Sequence, residues 1–177
     1  MARHPNLISM LFESLPEMLL VAKYSIEFQK DTDIWPAPGC YGYPAAILLL
    51  SIADSIGSYV EKGSVENHFR VLNNEDYYGL KLSDKEIRMM FDYRNLLAHN
   101  TVMSTNVGLN IGSLNDPVLQ NQNGIYLLNL FPFYNVSLKA VSSLLNNPKV
   151  LNNNRTILNI YKKGDSGDTQ HITDHFG

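Results

Sequence analysis

One short segment of this 177-residue sequence, residues 93–100, holds the side chains best suited to chemistry. Arg94 is followed directly by Asn95 and, after four intervening residues, by His99. A guanidinium keeps its charge inside a protein, so Arg94 must meet an acid, a phosphate or water. Histidine is the side chain whose charge changes near neutral pH, and this suits it to proton transfer. The segment is accordingly the first candidate for a reactive site.

This segment lies near the end of a helix whose start is clearly marked. Residues 83–86 (Ser-Asp-Lys-Glu) form a capping box, which predicts a helix from this point to about Asn100. On a helical wheel the apolar residues form one broad face with Arg94 in its middle. Asn95 and His99 lie one turn apart on a second stripe. An arginine on a core-facing stripe is uncommon and needs a partner.

Three further helices are predicted ahead of the motif helix. Apolar residues recur at helical spacing over about residues 7–29, and a nearly continuous apolar helix is expected over about residues 44–63. This second helix has one narrow polar stripe, and its Asp54 is the acid that we expect to pair with Arg94. A short helix is expected over residues 65–72.

In the second half of the chain, turn-forming residues interrupt the apolar runs more often. Two apolar runs with strand-like spacing are separated by Asn, Asp, Gly and Pro, which predicts a β-hairpin at about 104–133. Helices are expected at 135–145, with Asn135 as the cap, and from 148 to about 162. A polar C-terminal tail follows at 164–177. We therefore expect a single mainly α domain over residues 1–163.

Residues 93–100 resemble the Arg-polar-x-x-x-His signature of HEPN domains, which are small all-α bundles. The match consists of Arg94, the polar Asn95 and His99. Residues 52–57 (Ile-Ala-Asp-Ser-Ile-Gly) are similar to the second bundle helix of HEPN-like proteins. The resemblance covers about residues 7–102. It implies a HEPN-like antiparallel helical bundle, in which the β-hairpin at about 104–133 is an insertion.

The resemblance also implies an activity, metal-independent cleavage of RNA by an endoribonuclease. In this activity His99 would be the general acid/base and Arg94 would stabilise the phosphate and the transition state, with Asn95 in a supporting role. Asp54 and Asn100 are further supporting candidates. The family implies a homodimer that pools two motifs in one cleft, and a place in defence or stress response. Toxin members carry a tyrosine two residues after the histidine, whereas this sequence has Thr101.

Composition narrows the function classes. The formal charge of −3 excludes a strongly basic, histone-like nucleic-acid binder, and a single cysteine excludes an intrachain disulfide framework and a cysteine-based zinc site. Residues 44–60 are apolar but short and contain Asp54, so we expect a buried helix and no membrane partner. We expect a cytoplasmic protein with no cofactor and no metal. RNA is the candidate substrate, no DNA binding is predicted, and a regulatory protein is a further candidate partner.

The same residues also allow interpretations without ribonuclease activity. In one, Arg94 and Asp54 form an internal tie within a bundle or a purely structural dimer, with His99 and Asn100 capping helical carbonyls. A non-catalytic HEPN-like module that binds a nucleotide, RNA or a protein is another alternative. His171 and His175 have the spacing of a metal pair on a helix, although a polar tail is the simpler interpretation.

Overall fold

A computed structural model describes residues 7–36 and 38–153. This part of the chain is mainly helical, as the sequence led us to expect, and it carries a small three-stranded sheet where a two-stranded hairpin was expected. The helices are α1 (Leu7–Glu27), α2 (Gly42–Val60), α3 (Val65–His68), a 3-10 helix (Phe69–Asn73), α4 (Asp84–Asn100), α5 (Leu130–Leu145) and α6 (Pro148–Asn153). The strands are β1 (Val107–Asn110), β2 (Leu119–Gln122) and β3 (Ile125–Asn129).

Helix α2 is the centre of the core. It packs against α1, α4 and α5, and nine of its residues are buried, Asp54 among them. By length and composition alone, α2 is the one helix of the described chain that could cross a membrane, but half of its apolar window is buried inside this fold. The burial agrees with the central helix expected over this stretch.

Helix α1 buries the stripe that the sequence predicts. The buried members are Leu11, Leu15, Leu19, Ala22 and Ile26, spaced three or four residues apart. The helix ends at Glu27, two residues before the expected end. The short helix expected over 65–72 is divided into α3 and the 3-10 helix, which turns the chain back along α2.

Helix α4 begins as its capping box predicts. The Ser83 side chain accepts a hydrogen bond from the Glu86 amide, and the Glu86 carboxylate accepts from the Ser83 amide. The helix continues to Asn100, the expected end. It is closed by Thr101, whose left-handed backbone (φ 57°) turns the chain out of the helix. The element that carries the motif is therefore confirmed over its whole length.

The expected β-hairpin at 104–133 is corrected in one respect. The two apolar runs do pair, as β1 and β3, but they run parallel, and the sheet order is β1-β3-β2. The antiparallel partner of β3 is β2, joined to it by a tight turn at Asn123 and Gly124, both with positive φ. Sequence periodicity missed β2 because Leu119 is its single apolar residue.

The expected cap at Asn135 is wrong. Helix α5 begins at Leu130, directly after β3, so Asn135 lies inside the helix and its side-chain amide donates to the Phe131 carbonyl. Asn129 precedes the helix instead. It is fully buried, and its side chain hydrogen-bonds to Asn110 and to the Pro117 carbonyl, which joins the sheet to the loop before β2. The C-terminal part of the helix expected from 148, the tail, and His171 and His175 lie outside the described residues.

Candidate functional site

Asp54 joins three segments of the chain. Its Oδ1 lies 2.8 Å from Nδ1 of His68, and its Oδ2 lies 2.8 Å from Nη2 of Arg94. The Asp54 side chain is only 12% exposed, so both of its oxygens are used in a largely dry environment. The ion pair expected between Asp54 and Arg94 is present, and His68 is an additional member that the sequence did not indicate.

Gly57 explains how His68 reaches Asp54. It lies almost one turn after Asp54 on α2, and a Cβ atom placed there would overlap the backbone of His68 at its carbonyl oxygen. The absence of a side chain thus lets α3 approach α2 at close range. A second ion pair fixes the other side of α3, because Arg88 of α4 lies 2.6 Å from Glu66.

Arg94 is held by neighbours on two helices. Its Nη2 contacts Asp54 of α2, and its Nη1 donates to Oδ1 of Asn95 at 3.1 Å. Its Nε is buried and has no hydrogen-bond partner within the described residues. The Arg94 side chain is 26% exposed, so solvent reaches part of it. With five N–H groups, it retains donors for an incoming anion.

Asn95 contacts the arginine and not the histidine. Its carboxamide oxygen is used by Arg94, which leaves the amide nitrogen as a donor. We expected Asn95 only to support the site, and its hydrogen bond in the structure orients the guanidinium.

His99 and Asn100 are exposed in the last turn of α4. Neither side chain forms a hydrogen bond or ion pair with another described residue. The last helical carbonyls are instead bound by backbone amides, those of Thr101 to Leu97 at 3.2 Å and of Val102 to Leu96 at 3.5 Å. The capping role that the internal-tie alternative gave to these two side chains is therefore not seen, and the His99 imidazole is free to meet a ligand.

The structure does not place His99 beside Arg94. Five residues along an α-helix correspond to a rise of about 7.5 Å and a rotation of about 140°. Arg94 faces α2 and His99 faces solvent. The chain therefore presents a guanidinium and a separate imidazole on different sides of the same helix end.

A cleft of about 380 Å³ opens beside the motif, between α4 and the chain leading into β1. Its lining is mixed and includes Met89, Asp92, Asn95, Leu96, Ser104 and Asn106. Tyr93 also lines it; this residue is buried, and its hydroxyl lacks a hydrogen-bond partner in the described part of the chain. Burial, with smaller contributions from Tyr126 and Asp92, raises the pKa of Tyr93 to about 12.

His68 is the functional candidate that sequence reasoning missed. It lies outside the motif, in a four-residue helix with no recognisable spacing to Asp54. The available signal was Asp54 itself, since a buried carboxylate has two oxygens and needs more than one donor. Within residues 7–36 and 38–153, no three His, Cys, Asp or Glu side chains group as metal ligands. Comparison with family models, curated proteins and solved structures finds no match to this chain.

Proposed function

We propose that this protein is a metal-independent endoribonuclease of the HEPN type. The observation that carries the proposal is the pairing of two features on one helix end: a guanidinium anchored by a buried carboxylate, and an exposed imidazole that no described residue engages. An anchored arginine supplies fixed charge, and a free histidine supplies a mobile proton.

The residue types suit the cleavage of a phosphodiester by its own ribose. The 2′-hydroxyl attacks the adjacent phosphorus, the bond from phosphorus to the 5′-oxygen breaks, and a proton must reach the leaving oxygen. Arg94 binds the non-bridging oxygens as their charge grows, and its hydrogen bonds to Asp54 and Asn95 fix it in advance. His99 exchanges the proton.

A homodimer is part of the proposal. Because Arg94 and His99 point about 140° apart on one helix, a single phosphate does not face both side chains of one protomer. Two copies of the α4 end related by a two-fold axis would set the arginine of one copy opposite the histidine of the other. The cleft of mixed lining beside Asn95 leaves room for a neighbouring nucleotide.

The second candidate is a non-catalytic module in which Arg94 is an internal tie. It is favoured because Arg94 already forms an ion pair with Asp54 and a hydrogen bond with Asn95. In that case the cluster stabilises the contact between α2, α3 and α4, and His99 has no chemical role.

Cleavage of single-stranded RNA in EDTA distinguishes the two candidates. We expect the wild-type chain to cleave, and His99→Ala to lose about 100-fold or more in rate while it stays folded. Arg94→Lys keeps a positive charge near Asp54 but loses the planar fork, so its rate should fall similarly. Arg70→Lys is the matched control, since Arg70 is 58% exposed and makes one long contact to Asp84. Equal cleavage by all four proteins, or by none, would leave only the internal tie.

A further inference from the structure

His68 is held in the arrangement that activates histidines. Its Nδ1 lies 2.8 Å from a carboxylate oxygen of Asp54, and its side chain is 16% exposed. In a neutral imidazole that donates from Nδ1, the other nitrogen, Nε2, carries a lone pair. No described residue hydrogen-bonds to Nε2. A buried carboxylate that fixes the tautomer and stabilises the imidazolium is the device by which histidine bases are oriented.

The same carboxylate sets His68 beside the phosphate-binding group. His68 and Arg94 bind the two oxygens of one Asp54 side chain, so the imidazole and the guanidinium are neighbours. A phosphate bound by Arg94 would therefore lie close to His68. The next charged pair, Glu66 with Arg88, is satisfied internally.

We infer that His68 is the general base of the cleavage reaction and that His99 of the second copy in the proposed homodimer is its general acid; the inference rests on the proposed function. Nε2 of His68 takes the proton of the ribose 2′-hydroxyl as the bond from that oxygen to phosphorus forms. The bond from phosphorus to the 5′-oxygen breaks, and protonated His99 gives its proton to the departing oxygen. The products are a 2′,3′-cyclic phosphate and a 5′-hydroxyl, and the two histidines return to their starting forms by exchange with water.

The structure also explains why the two roles fall to different histidines. His68 is tied to Asp54, whose negative charge lies next to the positive charge that the imidazole gains when it accepts a proton as a base. His99 is exposed, so it can take up a proton from water between turnovers. With two histidines available, neither has to accept the 2′-hydroxyl proton and also donate a proton to the 5′-oxygen in the same step.

The decisive variant is His68→Asn. Asparagine places its amide nitrogen where histidine has Nδ1, so the hydrogen bond to Asp54 survives while the base is lost. We expect an unchanged melting temperature, a kcat reduced about 100-fold or more and a KM within about twofold of wild type. The pH profile of kcat/KM should lose its rising, acidic limb, which reports deprotonation of the base. In His68→Ala, added imidazole should restore activity by filling the vacated space.

The failures can be told apart. If His68→Asn cleaves like wild type with an unchanged pH profile while His99→Ala is inactive, His68 is only a tie between α3 and α2, and the proposed ribonuclease stands without it. If His68→Asn loses activity but also melts early, and imidazole does not rescue His68→Ala, the base assignment is equally overturned. If wild type does not cleave RNA, both proposals fall.

Discussion

Oδ2 of Asp54 lies 2.8 Å from Nη2 of Arg94, and this contact joins the central helix α2 to the motif helix α4. The other oxygen of the same carboxylate binds His68. One buried side chain thus organises residues from three helices that are far apart in sequence. The chemistry proposed for the protein depends on this carboxylate, which fixes both the phosphate-binding and the proton-accepting group.

Replacing Asp54 by alanine should destabilise the fold strongly. The change leaves a largely buried guanidinium without its partner, and the expected loss in free energy of unfolding is about 3 kcal/mol. The value lies at the lower end for a broken buried pair because the Arg94 side chain is 26% exposed. Urea denaturation measures it. Glu27→Ala, which removes an exposed partner of Lys23, is the control and should cost less than about 0.5 kcal/mol. Equal small effects would show that the Asp54 pair contributes little.

Gly57→Ala should destabilise the protein although the same change stabilises most helices. In an open helix the substitution gains about 1 kcal/mol. Here the new methyl group would meet the backbone of His68, which no side-chain rotation relieves. We expect a loss of more than about 1 kcal/mol by urea denaturation, together with reduced RNA cleavage. Ser51→Ala, two turns earlier on α2, should stay within about 0.5 kcal/mol of wild type. A stabilised Gly57→Ala protein would contradict the close approach of α3 to α2.

Stability at alkaline pH should report the buried Tyr93. A tyrosine in an unfolded chain ionises near pH 10, whereas the pKa of Tyr93 is raised to about 12 in the fold. Between these values the unfolded state binds fewer protons than the folded state, so stability falls as pH rises from 10 to 12. Tyr93→Phe removes this contribution, and its free energy of unfolding should fall less steeply over that window.

Below pH 9, Tyr93→Phe should be within about 1 kcal/mol of wild type, because the hydroxyl it removes makes no hydrogen bond to a described residue. Tyr24→Phe is the control; its ring is 61% exposed, and its pH curve should follow wild type. Parallel curves for wild type and Tyr93→Phe from pH 9 to 12 would show that Tyr93 ionises as easily in the fold as in the unfolded chain.

The sequence was informative where local signals and burial agree. The capping box at Ser83 and Glu86 determines where α4 starts, because it satisfies amides that a helix start leaves open. Asp54 could be matched to Arg94 because Asp54 is the charged group on the narrow polar stripe of an otherwise apolar helix, and Arg94 lies on an apolar face where it needs an opposite charge. The local capping pattern was sufficient to predict the start of α4, and the need for charge compensation was sufficient to predict the ion pair between Asp54 and Arg94.

Long-range geometry was out of reach of the same reasoning. The parallel pairing of β1 and β3 depends on the path of the intervening loop, which apolar periodicity does not encode. Asn135 looked like a cap because asparagine favours that position, but the tertiary contacts of β3 start the helix earlier. His68 joins the site through the close approach that Gly57 permits, and no spacing rule connects it to Asp54.

The central claim is tested most directly with an oligodeoxynucleotide that contains one ribonucleotide, incubated with the protein in EDTA and examined by mass spectrometry. A reaction begun by the 2′-hydroxyl can cut only on the 3′ side of that ribonucleotide. We predict a single cut there, leaving a 2′,3′-cyclic phosphate and a 5′-hydroxyl, with wild type and no detectable product with His99→Ala. An intact oligonucleotide with wild type, cuts at deoxy positions, or the same product formed by His99→Ala at the wild-type rate would contradict the account.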